Sequence, residues 1–324
     1  MIKRKDLKHL AQGFLMGGAD IIPGVSGGTV ALILQIYERL VTAISRFNLT
    51  LVTHLRRGNW TGAAAYVDLR FIIYLGCGIA IGVGGLASVM RYLLEHHLQP
   101  THSAFFGLIL ASSVLVARMI GRWGVLSAVG LLLGAGFAYW LVGQLPAKPP
   151  EGNAYLFICG MIAICAMILP GISGAFILLI LGKYDDMTGL LSRFLHGNIT
   201  LETTTTLVVF LSGCVLGLLS FGKLLNWMLD RHKTFTMAVL CGFMVGSLRK
   251  IWPFKRDLTP EITENILPDS LNWDVWLSLG LAVAAAAFVF ALDWLTSGHV
   301  QEPLPHHGSL NLEEIASRKN GKDA

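Results

Sequence analysis

Charged side chains are scarce in this sequence. Asp, Glu, Lys and Arg make up 14% of its 324 residues, whereas hydrophobic residues make up 54%. Soluble domains usually carry about 25% charged residues. With a mean hydropathy of +0.61, the composition excludes an ordinary soluble domain and predicts an integral membrane protein with several spans. The net charge of +5 falls mostly in short polar segments. We therefore interpret it as a topology signal and expect no nucleic-acid partner.

Cysteine is also rare, and its placement excludes the usual metal and redox motifs. The five cysteines are scattered through apolar runs: Cys77, Cys159, Cys165, Cys214 and Cys241. No two of them have metal-ligand or redox spacing, so we interpret them as small core residues. The histidine pairs His96–His97 and His306–His307 also lack further ligands at metal spacing. We expect neither a metal nor a cofactor.

A signal peptide is missing from the pattern as well. The first ten residues, MIKRKDLKHL, are basic, but the apolar run that follows is interrupted by Asp20 and Pro23 and has no cleavage site. We expect residues 1–10 to form a basic cytoplasmic N-terminus. After Ser297 the chain becomes polar, and we expect residues 297–324 to form a disordered cytoplasmic tail.

Long apolar runs are what the sequence has in abundance. A bilayer crossing needs about 20 residues, and six runs reach about that length: 69–91, 103–120, 123–143, 205–226, 235–252 and 273–295. Two further apolar segments, 11–44 and 153–182, are each interrupted near the middle by Pro-Gly. The sequence therefore predicts an all-α membrane protein.

The chain repeats itself. The stretch PGVSGGTVALILQIYERL from Pro23 aligns with PGISGAFILLILGKYDDM from Pro170, at an offset of 170 − 23 = 147. Further matches lie at an offset of 135: Gly78/Gly213, Gly82/Gly217, His97/His232, Thr101/Thr236, Gly107/Gly242 and Ser112/Ser247. Two matches in the same order indicate an internal duplication, with residues 11–146 as the first repeat and residues 153–295 as the second. The difference, 147 − 135 = 12 residues, predicts extra loop around Leu49–Asp68.

The distribution of Lys and Arg favours an inverted arrangement of the two repeats. If each interrupted segment is re-entrant, each repeat has about three crossings and the second is inserted upside down. Of the 25 Lys and Arg residues, 17 then face the cytoplasm, and the basic cluster Arg249–Arg256 on the outer side is the weak point of this arrangement. If both interrupted segments cross fully, there are eight spans and the halves are parallel. Both termini are cytoplasmic in either case.

The interrupted segments have the chemistry of a binding site. Pro23 blocks a continuous helix, Gly24, Gly27 and Gly28 permit unusual backbone angles, and Ser26 and Thr29 can cap a new helix. The result is a helix N-terminus inside the membrane whose free N–H groups can bind an anion. Broken helices from two repeats often form a transporter's substrate site.

Glycines and acidic residues in apolar segments can also have purely structural roles. Glycines also let membrane helices pack closely, and we prefer that explanation for isolated ones such as Gly134 and Gly136. Asp20 is costly in hydrocarbon. We therefore expect it to face a cavity, either as a proton or cation carrier or as a backbone tether. Its counterpart in the second half is Met167.

A hydrolase is the alternative in another functional class, because Gly24–Gly28 matches the G-x-S-x-G pattern of a nucleophilic serine. That motif needs a preceding strand and a histidine at the depth of Ser26. The preceding run is helical instead, and the histidines lie near the predicted membrane edges. The serine is also duplicated, which a single nucleophile does not require.

The doubled motif, GADIIPGVSGGTVALILQIYERL with LPGISGAFILLILGKYDDM, resembles the PopT-type transporters of polyprenyl phosphate, a family formerly catalogued as domain of unknown function 368. The resemblance spans about residues 8 to 295. It implies a bacterial inner-membrane flippase that returns undecaprenyl phosphate to the cytoplasmic leaflet, where cell-wall precursor synthesis reuses it. It also implies a transporter and not an enzyme, with a polyprenyl-phosphate lipid as partner.

The residues and the resemblance together predict a phosphate notch open to lipid. We assign it the following residues: Asp20, Pro23, Gly24, Ser26, Gly27, Gly28, Thr29, Pro170, Gly171, Ser173 and Gly174. Ala175 and Phe176 replace the second glycine and the threonine of the first element, so the two half-sites are expected to contribute unequally. Arg118, Arg249 and Lys183 are candidates for the countercharge. A carrier of a soluble anion stays an alternative, and the coupling proton or cation and the oligomeric state stay open.

Overall fold

A computed structural model describes residues 4–21, 26–145, 149–150, 152–195, 200–259 and 262–297. Their first half forms eight helices: α1 (Arg4–Asp20), α2 (Gly27–Ile33), α3 (Tyr37–Ser45), α4 (Leu49–Arg56), α5 (Trp60–Tyr66), α6 (Leu69–His96), α7 (Leu98–Met119) and α8 (Val125–Leu141). The prediction of an all-α membrane protein is confirmed. Helix α1 already begins at Arg4, within the basic segment 1–10.

The second half follows the same order of elements. Its elements are α9 (Asn153–Ile168), α10 (Gly174–Ile180), α11 (Tyr184–Leu195), α12 (Leu201–Arg231), α13 (Lys233–Ser247), the strands β1 (Lys255–Thr259) and β2 (Ile262–Asn265), and α14 (Trp273–Ser297). The strands form a small antiparallel hairpin that the sequence analysis did not predict. In the first half, the extra residues around Leu49–Asp68 form α4 and α5 where a loop was expected.

Local sequence signals explain where several helices begin. Asn48 accepts hydrogen bonds from the first N–H groups of α4, and Thr200 forms a capping box with Thr203 at the start of α12. Helices α2 and α3 are separated by residues 34–36 and bend by 118° relative to each other. Gln35 has a left-handed φ of 56°, and its repeat counterpart Gly182 has 67°. The two halves therefore share this turn, although only the second uses the residue best suited to it.

Close contacts at glycines join one pair of helices in each half, α1 with α6 and α9 with α12. In the first half, α1 packs against α6, and a side chain at Gly13 would collide with the carbonyl oxygen of Leu75. In the second half, α9 packs against α12, and Gly160 has the same relation to Phe210. Gly13 and Gly160 are related by the offset of 147, so the duplication extends to the packing of the backbones.

The last helices interlock the two halves. Helix α8 of the first half packs on α13 of the second, and α14 of the second packs on α7 of the first. Gly134 contacts Val239 in the first of these pairs, while Gly107 contacts Ala282 in the other. Gly134 is therefore a packing glycine, as expected. For Gly136 the expectation of a packing role was wrong, because a side chain there would meet no atom within 4 Å.

Four helices in the described ranges are long and apolar enough to cross a membrane: α6, α7, α12 and α14. The bent pair α2–α3 could make a fifth span. The predicted spans 123–143 and 235–252 become α8 and α13, which have 17 and 15 residues and lengths of about 26 and 23 Å. They are shorter than expected because α8 starts only after Gly124 and α13 ends at Ser247, before a turn and Pro253.

Candidate functional site

The first PG-x-SG element (Pro23–Gly27) joins α1 to α2. Pro23 and Gly24 lie outside the described residues. Ser26 is the N-cap of α2, with extended backbone angles, and its Oγ accepts a hydrogen bond from the Gly28 nitrogen at 3.1 Å. The Gly27 nitrogen donates to Oδ1 of Asp20 at 2.6 Å. Ser26 and Thr29 are fully buried.

These bonds answer the expectation of free N–H groups at the start of α2. The nitrogens of Gly27 and Gly28 donate to Asp20 and Ser26, and that of Thr29 donates to the carbonyl oxygen of Ser26 at 2.9 Å. The donors that the sequence analysis assigned to an anion are therefore already used within the protein. An oxyanion could bind the Gly27 nitrogen only by displacing the Asp20 carboxylate.

The second PG-x-SG element (Pro170–Gly174) joins α9 to α10 and is mostly buried. Gly171 has a φ of 83°, which disfavours any residue with a side chain. A Cβ atom there would also lie 2.7 Å from Oγ of Ser247, at the end of α13. Glycine is therefore required here by both backbone angle and space. Ser173 caps α10 by position, but its side chain makes no capping bond.

The two PG-x-SG elements meet each other. Ser26 Oγ donates to the carbonyl oxygens of Leu169, at 3.1 Å, and Met167, at 3.3 Å. The nitrogen of Gly171 donates to Oγ1 of Thr29 at 3.0 Å. Polar groups of the broken backbone are thus satisfied across the two halves, as irregular backbone in a membrane requires.

Tyr37 strengthens this junction. Its side chain is only 1% exposed, and its hydroxyl donates to the carbonyl oxygen of Ile168 at 3.2 Å. The sequence analysis did not place Tyr37 in the site, although the repeat alignment pairs it with Tyr184. Tyr184 is 38% exposed, so the equivalence in sequence does not extend to the environment.

Three predicted site glycines face protein atoms. A Cβ atom at Gly27 would lie 2.7 Å from Oδ2 of Asp20, and one at Gly28 would lie 2.6 Å from the Ile168 carbonyl oxygen. At Gly174 the distance to the Ala163 carbonyl oxygen would be 2.8 Å. Close packing within the protein is therefore sufficient to explain the absence of side chains at these positions.

The three candidates for the countercharge differ in their surroundings. Arg249 donates to the Tyr139 carbonyl oxygen at 2.9 Å and stacks over the same residue's ring, while Lys183 pairs with Asp186 at 2.8 Å. Arg118 lies 5.4 Å from the Phe290 ring centroid. It also lines a pocket of about 170 Å³ together with Leu32, Ile33, Gln35, Leu115, Val116, Met119 and Asp293. Arg118 thus borders a cavity next to the bend between α2 and α3.

A second cationic group was missed by the sequence analysis. Lys250 and Lys255 follow α13 and are partly buried. The Lys250 ammonium lies 4.5 Å from the ring centroid of Phe176, in the first turn of α10. The basic cluster Arg249–Arg256 is the signal in the sequence that could have identified these lysines.

A nucleophilic role for Ser26 has no support in this geometry. Its Oγ is buried and bonds only backbone groups in the hydrogen bonds of the described residues. No group of three or more His, Cys, Asp or Glu side chains that could hold a metal occurs among those residues.

Comparisons with known proteins point to one family. The family model of undecaprenyl phosphate translocase-like proteins matches residues 16–266. A polyprenyl-phosphate transporter of Vibrio cholerae serotype O1 is 37% identical over 305 residues, which cover 89% of this chain and 96% of the relative. A polyprenyl-phosphate transporter of Staphylococcus aureus is 30% identical over 257 residues, which cover 76% and 86%. No solved structure matches the chain.

Proposed function

Since the chain belongs to the undecaprenyl phosphate translocase-like family, we propose that it moves undecaprenyl phosphate across the bacterial inner membrane. The direction is toward the cytoplasmic leaflet, where the carrier lipid is used again for cell-wall polymers. The resemblance of the doubled PG-x-SG motif to this family is confirmed by the match. Transport also agrees with the names of both relatives.

The junction of the two PG-x-SG elements is the observation that carries the proposal. Three side chains of the first half, Ser26, Thr29 and Tyr37, bind the backbone around Pro170 in the second. A centre built from both repeats can change its exposure when the repeats move against each other. In this proposal the phosphate passes the junction by replacing internal hydrogen bonds, such as the one from Gly27 to Asp20, while the repeats move.

Each half adds a cation beside this centre. Arg118 lies near the C-terminal end of α7, and Lys250 lies just beyond the end of its repeat counterpart α13. If the halves are inverted, these two ends open on opposite faces of the membrane. The head group would then meet a cation on either side, while the isoprenoid tail stays in lipid.

Proteoliposomes containing labelled undecaprenyl phosphate in both leaflets test the function. A phosphatase that cannot cross the membrane is added outside, and lipid that remains phosphorylated is measured. Protein-free liposomes should keep their inner-leaflet lipid, whereas liposomes with the protein should lose nearly all of it. Liposomes with heat-denatured protein are the control. Persistence of the inner pool with active protein would contradict the proposal.

The same liposomes separate the alternatives. Without phosphatase, a flippase leaves the lipid chemically intact, whereas a hydrolase acting through Ser26 releases a product. A carrier of a soluble anion would take labelled phosphate into the vesicle lumen and leave the lipid in its leaflet.

A further inference from the structure

The loop after α13 holds two lysines in a defined arrangement. Lys255 Nζ donates to the carbonyl oxygen of Lys250 at 2.6 Å. Between the two lysines in the sequence, Trp252 Nε1 donates to the carbonyl oxygen of Ile266 at 2.8 Å. The Trp252 ring packs edge-on against Phe106 of α7, with 5.5 Å between the ring centroids. The loop is therefore fixed both to the segment after the hairpin and to a central helix.

Neither ammonium group has an acidic partner in the part of the chain that the structure describes. No ion pair of Lys250 or Lys255 with a carboxylate occurs among the residues that the structure describes. Burial lowers the pKa of both lysines, and Lys250 adds to the effect on Lys255, whose pKa falls to about 8. Two like charges held together and partly out of water are unfavourable unless an anion joins them.

A third group lies beside the lysines. His102, in the first turns of α7, is 7% exposed and lies within electrostatic range of both ammonium groups. Its Nδ1 is the one buried side-chain nitrogen or oxygen in the described ranges that has no hydrogen-bond partner. Buried polar atoms are normally paired, so Nδ1 is open to a hydrogen bond with a ligand, while the backbone of Trp252 lies within hydrogen-bonding reach of the same ring.

The cluster adjoins the second PG-x-SG element. Lys250 lies over Phe176, two residues after Gly174, while Ser247 and Met244 of α13 close around Gly171. Phe176 stands where the first half has Thr29, whose hydroxyl binds the other element. The aromatic ring at this position makes a cation–π contact with the ammonium group that a threonine could not make.

We propose that Lys250, Lys255 and His102 form a binding site for a phosphate group at the end of α13. Lysines are suited to phosphate as mobile point charges with three donors each. The proposal rests on the proposed function where it takes the ligand to be the head group of a polyprenyl phosphate. Free inorganic phosphate has the same chemistry and is the other source.

Binding of labelled undecaprenyl phosphate to the purified, full-length protein in detergent tests the site. Lys250→Gln and Lys255→Gln should each weaken binding by about tenfold, while Lys250→Arg should bind nearly as wild type does. Arg256→Gln is the matched control, since it removes one positive charge from the neighbouring exposed position. Monodisperse elution of every variant establishes that the fold is kept.

Competition identifies the source of the phosphate. Inorganic phosphate that displaces the lipid from wild type indicates a site for free phosphate as well, and failure to displace it indicates the lipid head group. Binding of undecaprenol, which lacks the phosphate, should be unchanged by substitution of the two lysines. A Lys250→Gln/Lys255→Gln double variant that binds undecaprenyl phosphate as tightly as wild type would overturn the site.

The liposome assay distinguishes a failure of the proposed site from a failure of the proposed function. If the double variant moves the lipid at the wild-type rate, the site is wrong and the proposed function stands. If wild type moves no lipid but binds inorganic phosphate through the two lysines, the function is wrong and the site stands.

Discussion

The carboxylate of Asp20 accepts a hydrogen bond from the Gly27 nitrogen at 2.6 Å, across the break between α1 and α2. Asp20 ends the first helix and Gly27 begins the second, so this bond fixes the two helix ends relative to each other. The negative charge also lies at the N-terminus of α2, where a helix stabilises an anion. Of the two roles considered for Asp20, this geometry favours the backbone tether.

The tether predicts unequal effects of two substitutions. Asp20→Ala should lower the free energy of unfolding by about 1–3 kcal/mol, because it leaves a buried N–H unpaired. Asp20→Asn keeps an acceptor and should cost less. Thermal unfolding in detergent and lipid movement in liposomes measure both. If Asp20 instead carries a proton or cation, Asp20→Asn will fold normally and lose all transport.

Gly27 should be coupled to Asp20. A methyl group at Gly27 would lie 2.7 Å from Oδ2 of Asp20, so Gly27→Ala should be destabilising because it pushes the carboxylate away. In the double variant Asp20→Ala/Gly27→Ala this collision is gone. We expect an interaction free energy of about 1 kcal/mol or more.

The control for this cycle is Gly136→Ala, since a side chain there meets open space. Gly134 is unsuitable, because its Cβ position is occupied by the Val239 carbonyl group. Strictly additive effects at Asp20 and Gly27 would show that the glycine serves another purpose, such as approach of the head group.

Periodicity and repetition predicted much of the fold. The offset of 147 that relates Gly13 to Gly160 also relates their contacts with α6 and α12, because an ancestral packing contact needs the same small residue in each copy. The exchange of α8 and α14 between halves could not be predicted, since nothing in a helix's own sequence specifies its partner. The inverted relation of the halves stays a prediction.

The site was predicted by residue type more than by geometry. Ser26 and Thr29 were expected to cap a helix, and Ser26 does. The bond from Gly171 to Thr29, however, joins residues 142 positions apart, and no local pattern encodes it. Lys250 was missed for a similar reason, because its importance comes from Phe176 and His102, which only the fold brings near.

Two substitutions at Ser26 distinguish a structural role of this serine from a catalytic one. Ser26→Ala loses the cap of α2 and the bonds to Met167 and Leu169, so we expect a loss of about 1–2 kcal/mol in stability with partial transport. Ser26→Thr should retain more of both. Transport in liposomes and labelling with a serine-directed reagent are the measurements. Labelling of wild type, together with complete inactivity of Ser26→Ala, would favour the hydrolase.

The inverted arrangement makes a prediction about sidedness. Single cysteines at Gly58 and Ser309 should be labelled only from the cytoplasm, and those at Ala147 and Asp257 only from outside. Ala147 and Ser309 lie outside the described residues, so the test adds to the structure. The background is a variant without the five native cysteines that still moves lipid. Labelling of position 58 from outside would exclude the inverted arrangement.

The pH dependence of phosphate binding follows from Lys255. Burial, and then Lys250, lower its pKa to about 8, so the empty site loses one positive charge as the pH rises through that value. A bound phosphate opposes this loss, and affinity should therefore fall above about pH 8. The second ionisation of a phosphate monoester lies near pH 6 and histidine's ordinary pKa is about 6.5. Between about pH 7 and 9.5, ionisation of the ligand or of His102 should therefore contribute little to the pH dependence of the affinity.

Lys255→Arg isolates this effect, because a guanidinium stays protonated throughout the range. Affinity for undecaprenyl phosphate, measured in detergent at several pH values, should decline more steeply in wild type than in Lys255→Arg. Lys250 faces the same site and its pKa is also lowered by burial, so the variant should keep a shallower decline of its own. Parallel pH profiles for the two proteins would mean that Lys255 does not contact the phosphate.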